Sequence, residues 1–413
     1  MGRLLQINPV LRTNTSTGRI VQEIGEVAMA HGWERYVAYS AWRDGDIACR
    51  SQKIPVGGKA DVAFHGLLTR LCDAHGLGSA AATRRLVREI ERLAPDVIHL
   101  HNLHGYFLNY KILFEYLARC NTPVVWTVHD CWLYTGHCYY YSAVGCDRWQ
   151  SHCHTCPQRC RFPSSWFIDR SRRNFEDKRA AFTAMPADRL TIVPVSEWLW
   201  GEMARSFMGG YRYEVIPNGI DTEAFCPRDE AARRAVRDKY ALGDRCVILA
   251  VASIWSPEKG LDDLIRMAHM LRPDEVLVVV GADRKTATKL PPQAVPVTRT
   301  ANVAELSELY ATAAALVNPT WQDNYPTVNM EAIASGTPVV TYRTGGSVEA
   351  VTDGTGYVVP QGDVAGMLEQ VRHIAAAGPV AFSDTCRQYA LAHFRKQDRY
   401  EAYIRLYESI AAR

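Results

Sequence analysis

The sequence contains no apolar run long enough to cross a bilayer, and its first residues lack the features of a secretion signal. The opening letters MGRLLQINPV are typical of a short strand, because no long apolar segment with a small-residue cleavage site follows them. Gln6 occupies the position where N-myristoylation requires Ser or Thr, so a myristoyl anchor is not predicted. We therefore expect a cytoplasmic protein.

The chain also lacks a large net charge, repeats of solenoid length and low-complexity runs. Its net charge is only +3, but residues 1–210 hold 25 Lys and Arg against 19 Asp and Glu, whereas residues 211–413 hold 22 against 25. The first half is therefore the one expected to face the more negatively charged surroundings. One predicted helix in it has a basic face that is either solvated or directed at a phosphate-rich membrane surface. That face carries Arg84, Arg85, Arg88 and Arg92.

The 413 residues are too many for one ordinary hydrophobic core and favour two domains. Strand and helix patterns alternate in both halves, which predicts an α/β fold with two doubly wound parallel sheets. We place the first domain at 1–208, the second at 209–390, and a final helix at 391–413 that packs across both. The segment 41–60 has little periodicity and is predicted to be a loop, in which Asp44-Gly45-Asp46 forms a turn that only imitates a DxD metal site.

The stretch from Asn318 to Val340 combines two carboxylates with a predicted helix start. Asp323 lies in a loop, and Glu331 lies in the first turns of a helix that opens near Pro326 or Thr327. Backbone N–H groups at a helix start stabilise an anion by about 0.3–1 kcal/mol per charge, and carboxylates accept hydrogen bonds from diols. This combination suits a nucleotide sugar. The alternative is a surface loop with an isolated Asp and a solvated Glu.

The first half carries polar residues at predicted strand ends. A polar loop ending at Gly18 follows the first strand, and glycine lets a backbone approach a ligand closely. A later strand ends in His129-Asp130, where polar side chains of an open α/β sheet face the ligand. His129 is a candidate donor to a substrate hydroxyl, with Asp130 fixing its tautomer. A purely structural histidine is the alternative.

A cysteine-rich insertion occupies residues 131–162. Cys138, Cys146, Cys153 and Cys156 have spacings that resemble a four-thiolate structural zinc site, which would staple a loop that has no core of its own. Reduced thiols, and ligand sets drawn from the neighbouring cysteines and histidines, are the alternatives. The insertion is no more basic than its surroundings, so we expect no nucleic-acid partner.

Three motifs together resemble the retaining glycosyltransferases of family 4, which have the GT-B fold. They are VIPNGID at the start of the second half, PEKG after its first strand, and DNYPTVNMEAIASGTPVV near its end. The resemblance covers essentially the whole chain, and it implies two Rossmann-like domains that face a cleft. The insertion GHC…GC…CxxCP after TVHD resembles a bacterial subgroup used in exopolysaccharide synthesis of the colanic acid type.

The resemblance also implies roles for individual residues. Glu331 matches the acid that holds the ribose hydroxyls, and Asp323 matches the acid, usually Glu, near the transferred sugar. Lys259 matches the lysine on the donor diphosphate, but Ser253 stands where the family commonly has a second cation. Further donor-site candidates that the motifs or the first-domain loop supply are Gly18, His129, Asn324, Tyr325 and Thr327.

The function implied is retaining transfer of a hexose from a GDP- or UDP-linked sugar to a saccharide acceptor. We expect a lipid-linked acceptor at the inner face of the membrane and exopolysaccharide or cell-surface glycan synthesis. No catalytic divalent metal is expected, because Lys259 and backbone N–H groups can stabilise the leaving diphosphate. The alternatives are a transferase with a soluble acceptor, and a donor-binding module with weak or lost activity, which the residues Asp323 and Ser253 suggest.

Overall fold

A computed structural model describes residues 2–13, 15–44, 49–378 and 380–411. The chain divides into two compact units, the first formed by Met1–Pro217 with Tyr400–Arg413 and the second by Asn218–Arg399. Within the described part of the chain, no helix has both the length and the apolar character needed to span a membrane.

The first unit is built on seven strands. They are β1 (Arg3–Ile7), β2 (Glu34–Ser40), β3 (Gln52–Val56), β4 (Val97–Leu100), β5 (Val124–Val128), β6 (Leu190–Pro194) and β7 (Arg212–Tyr213). Its helices are α1 (Ser16–Ala30), α2 (Ala41–Asp44), α3 (Lys59–Cys72), α4 (Ala80–Leu93), α5 (Tyr110–Leu117), α6 (Ser171–Phe182) and α7 (Glu197–Ala204).

The strands of the first unit form one parallel sheet in the order β3-β2-β1-β4-β5-β6-β7. This is the doubly wound order, extended by one edge strand. The central strands VIHL and VVWTV are buried throughout, as expected for strands that are covered by helices on both faces.

The second unit contains β8 (Cys246–Val251), β9 (Glu275–Val280), β10 (Ala294–Val297), β11 (Ala315–Asn318), β12 (Val339–Tyr342) and β13 (Gly356–Val359). Its helices are α8 (Glu230–Lys239), α9 (Leu261–His269), α10 (Arg284–Ala287), α11 (Val303–Thr312), α12 (Thr327–Ala334), α13 (Val364–Ala377) and α14 (Val380–His393). The parallel sheet has the order β10-β9-β8-β11-β12-β13, which repeats the doubly wound pattern. The predicted fold class is therefore confirmed.

The last helix, α15 (Lys396–Ala411), begins in the second unit and ends in the first. Within the second unit, Lys396 pairs with Asp221 at 2.7 Å. Within the first unit, Tyr403, Ile404 and Tyr407 join the core that lies under β1 and α1. The aromatic stripe of this helix is therefore a packing surface.

The structure differs from the prediction between residues 41 and 72. The segment predicted as a loop contains α2 and the strand β3, and α3 follows. β3 is an edge strand of sequence QKIPV with only its last residue buried, so it lacks the apolar alternation that identifies a strand. Of the predicted Asp44-Gly45-Asp46 turn, Gly45 and Asp46 lie outside the described residues.

Candidate functional site

Two loops of the second unit meet where its strand order reverses. β8 and β11 pair side by side at that point of the sheet. Doubly wound sheets bind ligands beside the carboxyl ends of their strands at this reversal. The loop after β8 carries Lys259 and the loop after β11 carries Asp323, so two predicted donor residues reach the same edge of the sheet.

Lys259 and Asp323 form an ion pair, with 2.5 Å between Nζ and Oδ2. The lysine side chain is 41% exposed and the aspartate 15%, so the pair contributes only about 0–1 kcal/mol to stability. Gly260 makes the approach of the two loops feasible, because a Cβ there would lie 2.1 Å from the carbonyl oxygen of Pro319. The sequence predicted that both charged residues contact a ligand, but it did not predict that they contact each other.

Trp321 anchors the loop that carries Asp323. Its indole Nε1 donates to Asp263 Oδ2 at 2.8 Å, and its backbone N–H donates to the carbonyl of Glu258 at 2.9 Å. Asp263 is only 4% exposed and also accepts from the hydroxyl of Tyr342 at 3.0 Å. Sequence reasoning missed these supports, although a carboxylate on the apolar face of α9 is a detectable signal.

The glycine turn at 345–346 packs directly on Asp323. The N–H of Gly346 donates to the carbonyl of Asp323 at 3.1 Å. Gly345 has φ +51°, and a Cβ there would lie 2.1 Å from the same oxygen. Glycine is therefore required here for backbone packing, which fixes the position of the Asp323 loop.

Glu331 lies in the second turn of α12 and is 5% exposed. Its Oε2 accepts from the hydroxyl of Tyr310 at 3.0 Å. A carboxylate offers about four lone-pair positions, so its chemistry also suits the hydroxyl groups of a ligand. Asn329, two residues earlier in the same helix, donates to the carbonyl of Ser347 at 3.0 Å and thereby ties the helix to the glycine turn.

Three further predicted donor residues lie between Asp323 and Glu331. Asn324 and Tyr325 are 2% and 8% exposed, and burial raises the pKa of the Tyr325 phenol. Thr327 is the first residue of α12, whose opening N–H groups lie beyond the reach of the helical hydrogen-bond ladder. Contact of these residues with a donor stays a prediction, and the burial of the first two indicates that they also support the loop.

His129 follows β5 and lies against His101, with 3.2 Å between the ring nitrogens Nε2 and Nδ1. Burial lowers the pKa of His129 to about 4, so the ring is uncharged at neutral pH. Asp130 also has partners that the sequence did not indicate, and its predicted effect on the tautomer of His129 stays a prediction. Its carboxylate binds His104 Nε2 at 2.7 Å and the N–H of Trp132 at 2.9 Å, so it orients His104.

Gly18 lies inside α1 and not in the preceding loop, as the prediction had it. Its N–H donates to the hydroxyl of Thr15, the residue that caps the helix, at 3.3 Å. A Cβ at this position would lie 2.4 Å from the carbonyl oxygen of Arg12. The backbone of the chain itself therefore accounts for this glycine, and its approach to a ligand stays a prediction.

The structure does not support the predicted zinc site. Cys138, Cys146, Cys153 and Cys156 line one small cavity, so the fold does bring the four predicted ligands near one another. However, throughout 2–13, 15–44, 49–378 and 380–411, no three or more His, Cys, Asp or Glu side chains are arranged to hold a metal ion. A structural zinc requires four ligands about 2.0–2.3 Å from one point.

Three of the four predicted thiol ligands have contacts within the protein. The thiols of Cys138 and Cys156 interact with each other, and Cys153 accepts the N–H of Gly136 at 3.2 Å. Burial raises the pKa of the Cys153 thiol to about 12.

The insertion also has a core, contrary to the prediction. Trp149 is 1% exposed and stacks on Tyr141 with 4.8 Å between ring centroids. Lys178 reaches in from α6 and donates to the carbonyls of Trp132 and Thr135 at 2.6 and 2.9 Å. These contacts hold the insertion in place.

Comparison with known proteins identifies glycosyltransferase families in both halves of the chain. Residues 17–224 match the family described as Glycosyltransferase Family 4, and residues 245–377 match the family described as Glycosyl transferases group 1. The chain is 25% identical to a protein assigned to colanic acid biosynthesis in Escherichia coli (strain K12), the glycosyl transferase WcaC, over 98% of this chain and 100% of that protein.

A second relative is the GDP-mannose-dependent alpha-(1-6)-phosphatidylinositol monomannoside mannosyltransferase of Mycolicibacterium smegmatis. It is 33% identical over 48% of this chain and 56% of its own length. Among solved structures, HepE of Anabaena in complex with UDP and glucose is similar with a TM-score of 0.69 and 13% identity, over 99% of this chain and 100% of that chain.

The match to Family 4 spans 17–224, which is half of the 413 residues, and the second match covers most of the second unit. Both units have Rossmann-like parallel sheets. The chain therefore belongs to glycosyltransferase family 4 and has the GT-B fold.

Proposed function

We propose that this glycosyltransferase moves a hexose from a GDP- or UDP-linked sugar to a lipid-linked saccharide, with retention of the anomeric configuration and without a catalytic divalent metal. The single observation that carries the proposal is the meeting of Lys259 with Asp323 where the strand order of the second sheet reverses. A cation, a carboxylate and the start of α12 then lie on neighbouring loops, and together they match the phosphate and hydroxyl groups of a nucleotide sugar.

The chemistry requires stabilisation of a leaving diphosphate. The bond between the anomeric carbon and the diphosphate oxygen breaks, the acceptor hydroxyl forms the new bond on the same face, and its proton leaves with the diphosphate. Negative charge therefore builds on the diphosphate, where preorganised cationic and N–H donors lower the barrier most. Lys259 supplies the cation. Asp323 neutralises its ammonium before the donor arrives and then faces the transferred sugar.

Glu331 holds the ribose hydroxyls in this proposal, and His129 contacts the donor sugar. The neutral ring of His129 suits a hydroxyl, because an uncharged imidazole both donates and accepts. The second unit binds the donor and the first unit binds the acceptor.

The relatives support a nucleotide-sugar donor but differ in its base. The mycobacterial relative is named as GDP-mannose-dependent, and the Anabaena neighbour was solved with UDP and glucose. The relative that aligns over the full length is assigned to colanic acid biosynthesis, and the mycobacterial one acts on a phosphatidylinositol mannoside. These names support a cell-surface glycan product and a lipid-linked acceptor for this chain.

Thermal shift against GDP, UDP, ADP and dTDP tests the donor class directly. We expect one diphosphate to raise the melting temperature, and we expect Lys259→Met to abolish most of that rise. Arg234→Met is the matched control, because Arg234 is an exposed cation of the same unit on α8. A rise that Lys259→Met leaves intact would contradict the role of the lysine.

Transfer from the matching nucleotide sugar then tests the reaction. Nuclear magnetic resonance of the product reports the anomeric configuration, and turnover that survives a chelator supports metal independence. The alternative is a donor-binding module without transfer activity. Ser253 favours this alternative, because an exposed serine stands where members of the family commonly have a second cation. The alternative would be supported by nucleotide binding without transfer or hydrolysis above the blank.

A further inference from the structure

Helix α3 of the first unit has its larger apolar side chains on its exposed face. Its inward face consists of Val62, His65, Gly66 and Thr69, all buried. The larger apolar side chains lie on the opposite face, where Phe64 is 63% exposed, Leu67 48% and Leu71 37%. A surface helix of a monomeric soluble protein normally turns its apolar stripe to the core, so this exposed stripe indicates a contact outside the chain.

A loop that follows the cysteine-rich insertion adds to the same exposed surface. Trp166, Phe167 and Ile168 are 54%, 71% and 48% exposed. The N–H of Trp166 donates to the carbonyl of Arg70 at 2.7 Å, which fastens the loop to the last turns of α3. We call Phe64, Leu67, Leu71, Trp166, Phe167 and Ile168 the α3–loop surface.

One aromatic side chain lies close to both α3 and the loop. The ring of Tyr106 lies 5.6 Å from that of His65, on the inward face of α3. The same ring lies 6.0 Å from that of Phe162, at the start of the loop. Tyr106 therefore lies close to a buried residue of α3 and to the first residues of the loop, and it supports both elements.

The charges around the surface select the partner. Segments 59–73 and 159–170 carry Lys59, Arg70, Arg159, Arg161 and Arg170 against Asp61, Asp73 and Asp169, and Asp73 is fully buried. Asp61 is directed at its own helix, where it accepts the N–H of Gly58 at 2.9 Å. Arg159 donates to the backbone carbonyl of Phe167 at 2.7 Å, so a guanidinium lies beside the backbone of the loop.

Aromatic and aliphatic side chains bordered by Lys and Arg are the composition of a surface that lies in the headgroup layer of an anionic bilayer. A second copy of this chain is less suitable, because a two-fold contact would bring the two positive borders together. We propose that the α3–loop surface docks the first unit on a bilayer containing anionic lipid. This inference deepens the proposed function and rests on it for the lipid-linked acceptor, which docking would bring to the first unit.

Vesicle flotation tests the proposal with the full chain. We expect the protein to float with phosphatidylcholine vesicles that contain phosphatidylglycerol, to float less with phosphatidylcholine alone, and to be released by added salt. The double variant Trp166→Ser/Phe167→Ser should lower the partition coefficient at least about tenfold, because it removes two large apolar side chains from the contact. Val144→Ser is the matched control, since Val144 is a 47%-exposed apolar residue of the same unit outside the surface.

Three results would overturn the proposal. The first is failure to float with the anionic vesicles. The second is equal flotation of the double variant and the control. The third is a dimer in size-exclusion chromatography that the double variant abolishes, because the surface would then join two copies of the chain.

Folding and donor binding are measured on the same samples. Because the two substituted side chains are exposed, we expect an unchanged melting temperature and an unchanged nucleotide-induced thermal shift. If flotation fails while the thermal shift is normal, docking is refuted and the transferase proposal stands. If flotation is normal while no nucleotide shifts the melting temperature, the proposed donor chemistry fails and docking stands.

Discussion

The buried carboxylate of Glu331 gives the sharpest test of donor binding. Its proposed partner is the ribose diol, whose hydroxyl groups donate to an ionised acceptor. A hydrogen bond to a charged group contributes about 1.5–3 kcal/mol. We therefore expect Glu331→Ala to weaken nucleoside diphosphate binding by about 2–3 kcal/mol, which is about a 30- to 150-fold rise in Kd.

The same substitution has a separate cost in stability. Tyr310 is fully buried, and its hydroxyl donates to Glu331 at 3.0 Å. Removing the carboxylate leaves that hydroxyl without this acceptor, which costs about 1–3 kcal/mol in the free energy of unfolding. Glu331→Gln keeps an acceptor for Tyr310 but removes the charge, so it should weaken nucleotide binding with a smaller loss of stability.

Calorimetric titration with the best diphosphate from the thermal-shift series, and with its 2′-deoxy analogue, separates the two effects. The unmodified protein should bind the deoxy analogue more weakly, whereas Glu331→Ala should bind both ligands equally. Tyr310→Phe is the control, because it removes the internal hydrogen bond and retains the carboxylate. Unchanged affinity in a folded Glu331→Ala protein would refute the ribose role. If Tyr310→Phe weakens nucleotide binding as much as Glu331→Ala does, the carboxylate acts only by holding neighbouring groups in position and does not bind the ribose.

Three further outcomes follow from the structure. Burial lowers the pKa of His65 to about 4, below the 6.5 of the unfolded chain, and two backbone N–H groups donate to its Nε2. Each pKa unit corresponds to about 1.4 kcal/mol. About 3 kcal/mol of stability that is present above pH 6.5 should therefore be lost as the pH falls to 4. Urea unfolding of His65→Gln should lack that part of the pH dependence. Asp323→Asn releases Lys259 from its ion pair. Calorimetry should therefore show diphosphate binding that is unchanged or tighter by up to about 1 kcal/mol, while the rate of sugar transfer falls. Weaker diphosphate binding would contradict this prediction. The hydrogen bond from Cys138 lowers the pKa of Cys156 to about 7, so its alkylation rate should rise through pH 7, and Cys138→Ala should move that rise to higher pH.

Local patterns in the sequence determined the fold class and the donor motif. Continuous apolar runs such as VVWTV identified buried parallel strands, and the letters around Pro326 identified the start of α12. The motifs VIPNGID, PEKG and DNYPTVNMEAIASGTPVV were enough to indicate the family, because each is a short run of neighbouring residues that is recognisable without the tertiary structure. The edge strand β3 was not predicted, because a mostly exposed strand has no alternation of apolar and polar residues.

Tertiary packing alone decided which side chains meet. The spacing of four cysteines suggested zinc, yet the fold pairs Cys138 with Cys156 and gives Cys153 a backbone donor. Packing likewise directed Asp130 to His104 and turned the apolar stripe of α3 outward. Spacing along a chain fixes the chemical groups available, but the distance between two side chains depends on how the elements between them pack.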